Sequence, residues 1–150
     1  MRIPVIVLAA GAASRFGRPK LLENLDGQPL LLHALAGARN ADLGPVILVT
    51  GHDADAVQHA AAGCAAEVVF NPAHADGMGT SLACGIRACR DDADAALVLL
   101  ADQPRITGEH LRRLADAWSG AADEIVATAF AETLGPPVLF GSGAFDALAN

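Results

Sequence analysis

The chain has 150 residues and a formal net charge of -7, and 53% of its residues are hydrophobic. This length suits about one domain with a real core, and the hydrophobic content excludes an intrinsically disordered chain. The acidic balance argues against general binding to nucleic acid or to anionic membranes, because such binding needs broad basic faces. No apolar run approaches the roughly 20 residues that a membrane helix needs. We therefore expect neither nucleic acid nor a membrane among the partners.

The chain alternates short β-branched runs with alanine-rich helical stretches. Five runs have the composition of buried strands, namely residues 3–9, 46–50, 67–70, 96–101 and 124–130. Helices are predicted at about residues 29–40, 53–62, 79–90 and 108–118. Pro29 suits the first turn of a helix, and Asp53 and Thr107 are candidate N-caps.

This alternation implies right-handed crossovers and a mostly parallel sheet covered on both faces. The predicted fold class is therefore α/β, a three-layer Rossmann-like domain, and residues 1–150 are predicted to form one domain. In such a sheet, ligands bind beyond the carboxyl ends of the strands. The segments expected there are residues 10–20, 51–52, 71–80 and 102–107, and they contain most of the chain's unusual residues.

Three cysteines, Cys64, Cys84 and Cys89, are odd in number and lack CxxC spacing. We expect buried, reduced thiols, and the alternative is a metal or disulfide role. Reduced thiols favour a cytoplasmic location.

The first loop segment is LAAGAASRFGRPK, residues 8–20. It contains the chain's only lysine, Lys20, and residues 1–22 carry four positive charges and no carboxylate. Gly11 lets the backbone approach a ligand closely, and the small residues after it leave N–H groups open to an anion. Arg15 and Lys20 can then bind polyphosphate oxygens. The spacing matches neither the Walker loop nor GxGxxG, and the alternative is an ordinary connection with solvated cations.

Asp102 in LVLLADQPRIT follows a buried apolar strand, where a carboxylate is desolvated unless a cation pairs with it. Pro104 ends the strand and directs the carboxylate towards the crevice. Mg²⁺ favours sites with one or two carboxylates plus substrate phosphates. Asp102 beside Lys20 is therefore predicted to form a metal and phosphate site. The alternative is a helix cap or a structural bridge between Asp102 and an arginine.

The segment NPAHADGMGTS offers hydrogen-bonding groups suited to a base or a ribose. Asn71 follows a strand, Gly77 gives the loop freedom, and Thr80 or Ser81 can cap the next helix. A plain capped loop is the alternative, and His74 is expected in solvent rather than against a ligand.

The segment GHDAD combines His52, Asp53 and Asp55, which suggests a metal site. Asp53 as a helix cap and Asp55 in the first turn of that helix explain the segment more simply. A metal site there is therefore the less favoured interpretation.

Residues 8–35, LAAGAASRFGRPKLLENLDGQPLLLHAL, resemble the LAAGxSxRxGxPKL…GxPLLxH signature of the MobA-like nucleotidyltransferases. NPAHADGMGTSL followed by LVLLADQPRIT resembles the branch that contains molybdenum cofactor cytidylyltransferase. The related diphosphocytidyl-methylerythritol synthases show a DAARP-type motif in place of ADQP, and the guanylyltransferase branch shows LAGG in place of LAAG. The resemblance covers nearly the whole chain.

The resemblance implies transfer of a nucleotidyl group from a nucleoside triphosphate to a phosphorylated acceptor, with release of pyrophosphate. In the cytidylyl branch the donor is CTP and the acceptor is molybdopterin, and a molybdoenzyme or a chaperone would be a further partner. Rival interpretations are another acceptor such as a sugar phosphate, a non-catalytic nucleotide-binding accessory protein, and an oxidoreductase, for which the chain carries no dinucleotide fingerprint.

The resemblance also implies roles for particular residues. Lys20, Arg15 and Asp102 would be catalytic, and Asp102 would hold Mg²⁺ as cofactor. The residues implied in nucleotide binding are Leu8, Ala9, Ala10, Gly11, Ser14, Arg15, Lys20, Asn71, Gly77 and Ser81.

Two features depart from the family pattern. Pro136 in GPPVLF stands where the family usually has a polar residue. The family's later GDxGAR motif, which contributes a second acidic residue near the metal, is not found in these 150 residues. We therefore expect a fragment, or a reduced domain that lacks the family's C-terminal segment.

Overall fold

The computed structural model describes residues 1–11, 14–15 and 18–150, and for residues 14, 15 and 18 it describes the backbone alone. The strands are β1 Val5–Ala9, β2 Ser14–Arg15, β3 Arg18–Pro19, β4 Asn24–Leu25, β5 Gln28–Pro29, β6 Val46–Thr50, β7 Ala66–Phe70, β8 Ala95–Leu100, β9 Ile125–Phe130 and β10 Thr133–Gly141. The α-helices are α1 Leu30–Asn40, α2 Ala54–Ala60, α3 Met78–Cys89, α4 Gly108–Ala117 and α5 Phe145–Leu148.

Six strands form the central sheet, in the order β7-β6-β1-β8-β10-β9. β1 pairs in parallel with β6 and with β8, and β6 pairs in parallel with β7. β10 is antiparallel to both β8 and β9. The sheet thus has four parallel strands and an antiparallel hairpin at one edge, which confirms the predicted α/β class with a mostly parallel sheet.

Helices cover both faces of the sheet and complete the three layers. Side chains of β1 alternate between the two faces, so that Val5 and Val7 enter one core and Ile6 enters the other. The first core also contains side chains of α1, α2 and α4, and the second contains side chains of α3 and α5. In the described part of the chain, no helix has the length and apolar character needed to cross a bilayer.

The bounds of the five predicted strands and four predicted helices agree with the structure to within about two residues at each end. β10 was not predicted, because it carries Pro136 and Pro137, and proline lacks the N–H that a ladder needs. The pairing of β10 with β9 shifts register between Gly135 and Val138, which accommodates both prolines inside the strand.

Of the predicted helix caps, one is confirmed and the others are wrong. The Thr107 hydroxyl oxygen accepts a hydrogen bond from the His110 amide at 3.1 Å and caps α4. Asp53 precedes α2 with a left-handed φ of 58° and makes no capping bond, since its carboxylate lies 3.3 Å from the His52 ring instead. Thr80 and Ser81 do not occupy the N-cap of α3, because that helix begins at Met78 and its N-cap is Gly77.

All three cysteines are free. Cys84 is buried as predicted, whereas Cys64 and Cys89 are only partly buried. Burial, assisted by the charge of Glu67 and opposed by that of Arg2, raises the pKa of Cys89 from 9.0 to about 11. Cys89 therefore stays a protonated and weakly reactive thiol at neutral pH.

Candidate active site

A cavity opens beyond the carboxyl ends of β1, β6, β7 and β8, where the sequence predicts that four loops meet. Its volume is about 480 Å³, which is in the range of sites for small molecules. Several predicted site residues line it: Leu8, Ala9, Ala10, Gly11, Lys20, Gly77, Ser81 and Asp102. The other lining residues, which are not among the predicted site residues, are Leu21, His52, His74, Ala75, Met78 and Leu100.

The end of β1 contributes backbone and small side chains to the cavity. Ala9 and Ala10 are buried, and Gly11 is exposed. A Cβ built on Gly11 would meet no atom of the described residues within 4 Å. Packing within the described part of the protein therefore does not require glycine at position 11. The absence of a side chain leaves room for a ligand close to the backbone.

A short hairpin follows, in which Ser14 pairs with Pro19 and Arg15 pairs with Arg18. The side chains of Ser14 and Arg15 lie outside the described residues, so their roles in nucleotide binding stay predictions. The hairpin leads into a 3-10 turn that begins at Lys20, and this turn brings the lysine to the cavity.

Lys20 and Asp102 meet across the cavity, with the lysine Nζ 4.0 Å from the Asp102 Oδ2. Their side chains are 47% and 44% exposed. The Asp102 carboxylate lies two residues beyond the end of β8, where it faces water and has the cation partner that the sequence analysis expects for it. Exposed pairs of this kind contribute about 1 kcal/mol or less to stability. Both charges therefore remain available to a ligand, and among the side chains that the structure describes the partner of Asp102 is the lysine rather than an arginine.

Asn71 is buried and is not among the residues that line the cavity, and its role in nucleotide binding stays a prediction. The residue is 2% exposed. Its Nδ2 donates to the hydroxyls of Thr80 and Ser81, each at 2.9 Å, and its Oδ1 accepts from the Ala73 amide at 3.0 Å. These bonds fasten the loop after β7 to the first turn of α3, so Asn71 positions the loop.

Two histidines outside the predicted nucleotide-binding residues lie on the β6 and β7 side of the cavity. The His52 amide donates to the Ala10 carbonyl at 3.2 Å, which ties the end of β6 to the first loop. His74 is partly exposed and lines the cavity, so it lies where a ligand could contact it, and the expectation that it is a solvent residue rather than a ligand residue stays a prediction. The rule that ligands bind at carboxyl ends of strands places both residues here, although the sequence analysis gives His52 only the less favoured metal interpretation and expects His74 in solvent.

No group of three or more histidine, cysteine, aspartate or glutamate side chains in the described residues is arranged to hold a metal ion. The metal interpretation of GHDAD therefore has no support in the part of the chain that is described. Asp102 alone remains as a carboxylate that could contribute to an ion shared with substrate oxygens.

The chain is similar to several known proteins. It is 37% identical over 129 residues to the bifunctional protein GlmU of Dinoroseobacter shibae. This alignment covers 84% of the present chain and 29% of GlmU. The chain thus spans less than a third of the length of this curated relative. Among solved structures it is similar to Rv0371c of Mycobacterium tuberculosis H37Rv, with 32% identity, a TM-score of 0.86, and coverage of 99% of this chain and 75% of that one.

A nucleotidyl transferase from Methanothermobacter, Mth528, is also similar, with 30% identity, a TM-score of 0.83, and coverage of 99% of this chain and 76% of that one. Rv0371c has in addition been solved in complex with manganese. Residues 5–150 match the family model described as the MobA-like NTP transferase domain. Because that match takes in the whole sheet and the cavity at its carboxyl edge, the chain belongs to the MobA-like NTP transferase family.

Proposed function

We propose that the chain transfers a nucleotidyl group from a nucleoside triphosphate to a phosphorylated acceptor and releases pyrophosphate. The observation that carries the proposal is the pair formed by Lys20 and Asp102, 4.0 Å apart and half exposed, in a cavity at the carboxyl edge of the sheet. A cation and a carboxylate that face water together in such a cavity suit a ligand with its own charges.

The proposed chemistry is in-line attack by an acceptor phosphate oxygen on the α-phosphorus of the nucleotide. Both reactants are anions, so the protein acts mainly by positioning them and by neutralising charge. Lys20 donates to phosphate oxygens and stabilises the charge that develops on the departing pyrophosphate, and Arg15 assists it. The acceptor phosphate is already ionised at neutral pH, so no protein side chain needs to act as nucleophile.

The residues present are compatible with Mg²⁺, which stays part of the proposal. Magnesium is commonly held by one or two carboxylates together with substrate phosphates and water, and the exposed carboxylate of Asp102 suits that donor set. When bound, the ion would neutralise phosphate charge and polarise the reacting phosphate. The manganese complex of Rv0371c supports a divalent ion in a related protein.

We propose CTP as the donor and molybdopterin as the acceptor, on the strength of the LAAG and ADQP motifs. A molybdoenzyme or a chaperone would then receive the product, in the cytoplasm. A second candidate is a nucleotidyltransferase for another phosphate such as a sugar phosphate, and the likeness to the bifunctional protein GlmU favours it. A nucleotide-binding accessory protein without turnover is the remaining alternative.

The test measures pyrophosphate release for each of CTP, GTP, UTP and ATP, with Mg²⁺ and with either molybdopterin or a panel of sugar 1-phosphates. We expect release that requires the acceptor and is fastest with CTP and molybdopterin. Faster release with a sugar phosphate would establish the second candidate. Nucleotide binding without any release would leave the accessory role, and no binding of any nucleotide would refute the proposal.

A further inference from the structure

Pro136, the residue that departs from the family pattern, lies in an irregular stretch of β10. The pairing of β10 with β9 passes from Gly135 directly to Val138 and skips the two residues between them, Pro136 and Pro137. Because proline has no N–H, the carbonyl is the one backbone group with which each of these residues can form a hydrogen bond. Side chains from other elements bind both carbonyls.

The Pro137 carbonyl is bound by a side chain of the neighbouring strand. It accepts a hydrogen bond from the Thr128 hydroxyl at 2.7 Å, and the His110 Nε2 lies 3.0 Å from the same hydroxyl. A hydroxyl has one proton to donate, so in the second bond the ring of His110 is the donor. Thr128 is buried, and these two bonds fasten the hairpin of β9 and β10 to α4.

The Pro136 carbonyl is bound by Gln103, the residue that follows Asp102. Gln103 Nε2 donates to this carbonyl at 2.9 Å, and Gln103 Oε1 accepts from the Leu100 amide at 3.1 Å. The Gln103 amide donates to the Leu100 carbonyl at 3.1 Å. Leu100 and Gln103 thus close a four-residue turn with two hydrogen bonds, and Asp102 occupies its third position. The side chain of Gln103 attaches this turn to β10.

The position of the Asp102 carboxylate depends on this turn. The side chain is 44% exposed, and among the described side chains its ion-pair partner is Lys20, at 4.0 Å. A long contact between two half-exposed groups does little to fix either of them. A carboxylate that meets a metal ion and substrate phosphates must nevertheless stand within a narrow range of positions. The backbone of the turn has to supply that precision, and Gln103 joins this backbone to the sheet.

We propose that Gln103 is a positioning residue, which holds Asp102 at the cavity by anchoring its turn on the Pro136 carbonyl. The inference rests on the proposed function, because it assumes that Asp102 acts with Mg²⁺ on the nucleotide. It also gives position 136 a role that requires no polar side chain, since Gln103 binds the backbone there. Groups that orient a metal ligand without touching the metal typically contribute about 10- to 100-fold to metal affinity or activity.

The experiment measures how much Mg²⁺ strengthens nucleotide binding, as the ratio of the dissociation constant in EDTA to that in Mg²⁺, by titration calorimetry. The nucleotide is whichever of CTP, GTP, UTP and ATP the unaltered protein binds most tightly. Gln103→Met keeps the length of the side chain and removes its hydrogen bonds. It should reduce this ratio and lower kcat about 10- to 100-fold. Affinity in EDTA should stay unchanged, because Lys20 is intact.

Two further variants make the result specific. Thr128→Val removes the side-chain hydrogen bond to the other proline carbonyl and leaves the turn of Asp102 alone. It should lower the urea midpoint of unfolding without changing the effect of Mg²⁺ on affinity. Gln103→Asn, whose side chain is one methylene shorter and cannot reach both partners, should behave like Gln103→Met and takes its place if that variant does not fold.

The outcomes separate this inference from the proposed function. If Asp102→Ala abolishes the effect of Mg²⁺ while both Gln103 variants retain that effect and kcat, the positioning role is disproved and the proposed function stands. If Thr128→Val reduces the effect of Mg²⁺ as much as Gln103→Met does, Gln103 acts only through the stability of the hairpin, and the inference is again disproved. If the unaltered protein binds no nucleotide, both proposals are disproved.

Discussion

Gly51 lies directly against His74: a Cβ built on this glycine would stand 2.4 Å from the Cβ of His74 and 2.8 Å from the Cβ of Ala10. Real Cβ atoms essentially never approach other atoms below 3.0 Å. A side chain at position 51 would therefore force the end of β6, the first loop and the His74 loop apart. Close packing of three loops at the cavity thus depends on the absence of one methyl group.

Gly51→Ala should lower the free energy of unfolding by about 1–3 kcal/mol, the usual cost of overpacking a tight site. It should also weaken nucleotide binding, because His74 must shift. Urea denaturation and calorimetry measure the two effects. Gly79→Ala is the matched control, since a Cβ there meets no described atom within 4 Å and the residue lies inside α3. Equal stability of the two variants would contradict the packing argument.

Asn71→Ala should destabilise the protein by about 1–3 kcal/mol, because the buried Ser81 hydroxyl and the Ala73 amide lose their partner. The exposed Asn24 provides the control, and Asn24→Ala should change stability by less than about 0.5 kcal/mol. The measurement is the midpoint of urea unfolding without ligand. A loss of nucleotide affinity at Asn71 with unchanged stability would support the direct ligand role that the sequence predicts.

The layout of the fold could be predicted because its signals are local. Runs such as VILVT and ALVLL have the β-branched and aliphatic composition of buried parallel strands, and they recur between helical stretches. The same alternation predicts where the loops converge, since carboxyl ends of parallel strands share one edge. The cavity and the approach of Lys20 to Asp102 follow from that geometry.

What could not be predicted depends on contacts between segments distant in sequence. Asn71 looks like a ligand residue in its motif, and only the fold reveals that three bonds beneath the loop use its amide group. Aspartate is a residue type preferred at helix N-caps, yet the carboxylate of Asp53 lies beside the His52 ring. The place of His74 in the cavity lining could not be predicted either, because nothing in the sequence shows that a glycine 23 positions earlier makes room for it.

The partly buried thiol of Cys89 predicts a pH dependence of stability. Its pKa is about 11 in the folded protein against an ordinary value of 9.0. The folded state therefore holds this proton to higher pH than the unfolded state does. The contribution is fully present below pH 9 and is lost as the pH rises through about 11.

Urea midpoints measured from pH 8 to pH 11 should therefore fall less steeply for Cys89→Ala than for the unaltered protein. Cys64→Ala is the matched control, because it removes another partly buried thiol. The difference in slope between the two variants separates the contribution of Cys89 from that of other groups that titrate in the same range. Identical slopes for Cys89→Ala and the unaltered protein would show that burial does not shift this thiol.

The pair of Lys20 and Asp102 should matter little for stability and greatly for turnover. Each side chain is about half exposed, so a double-mutant cycle of Lys20→Ala and Asp102→Ala on unfolding should give a coupling energy of about 1 kcal/mol or less. Unfolding of Asp102→Ala on its own would instead indicate that the carboxylate is structural.

Turnover of the same variants tests whether the two charges act on the transition state. Removing a preorganised charge that meets developing charge typically costs on the order of 10²–10³ in rate, and we expect that loss in kcat for Lys20→Ala. Lys20→Arg should retain only part of the kcat that Lys20→Ala loses, because a planar guanidinium group does not reproduce the compact ammonium group of lysine. Arg113→Ala, which breaks an exposed pair with Glu109 on α4, should leave kcat unchanged. A rise in KM with kcat intact would mean that Lys20 binds the ground state as tightly as the transition state. In that case the lysine would hold the triphosphate without accelerating its transfer.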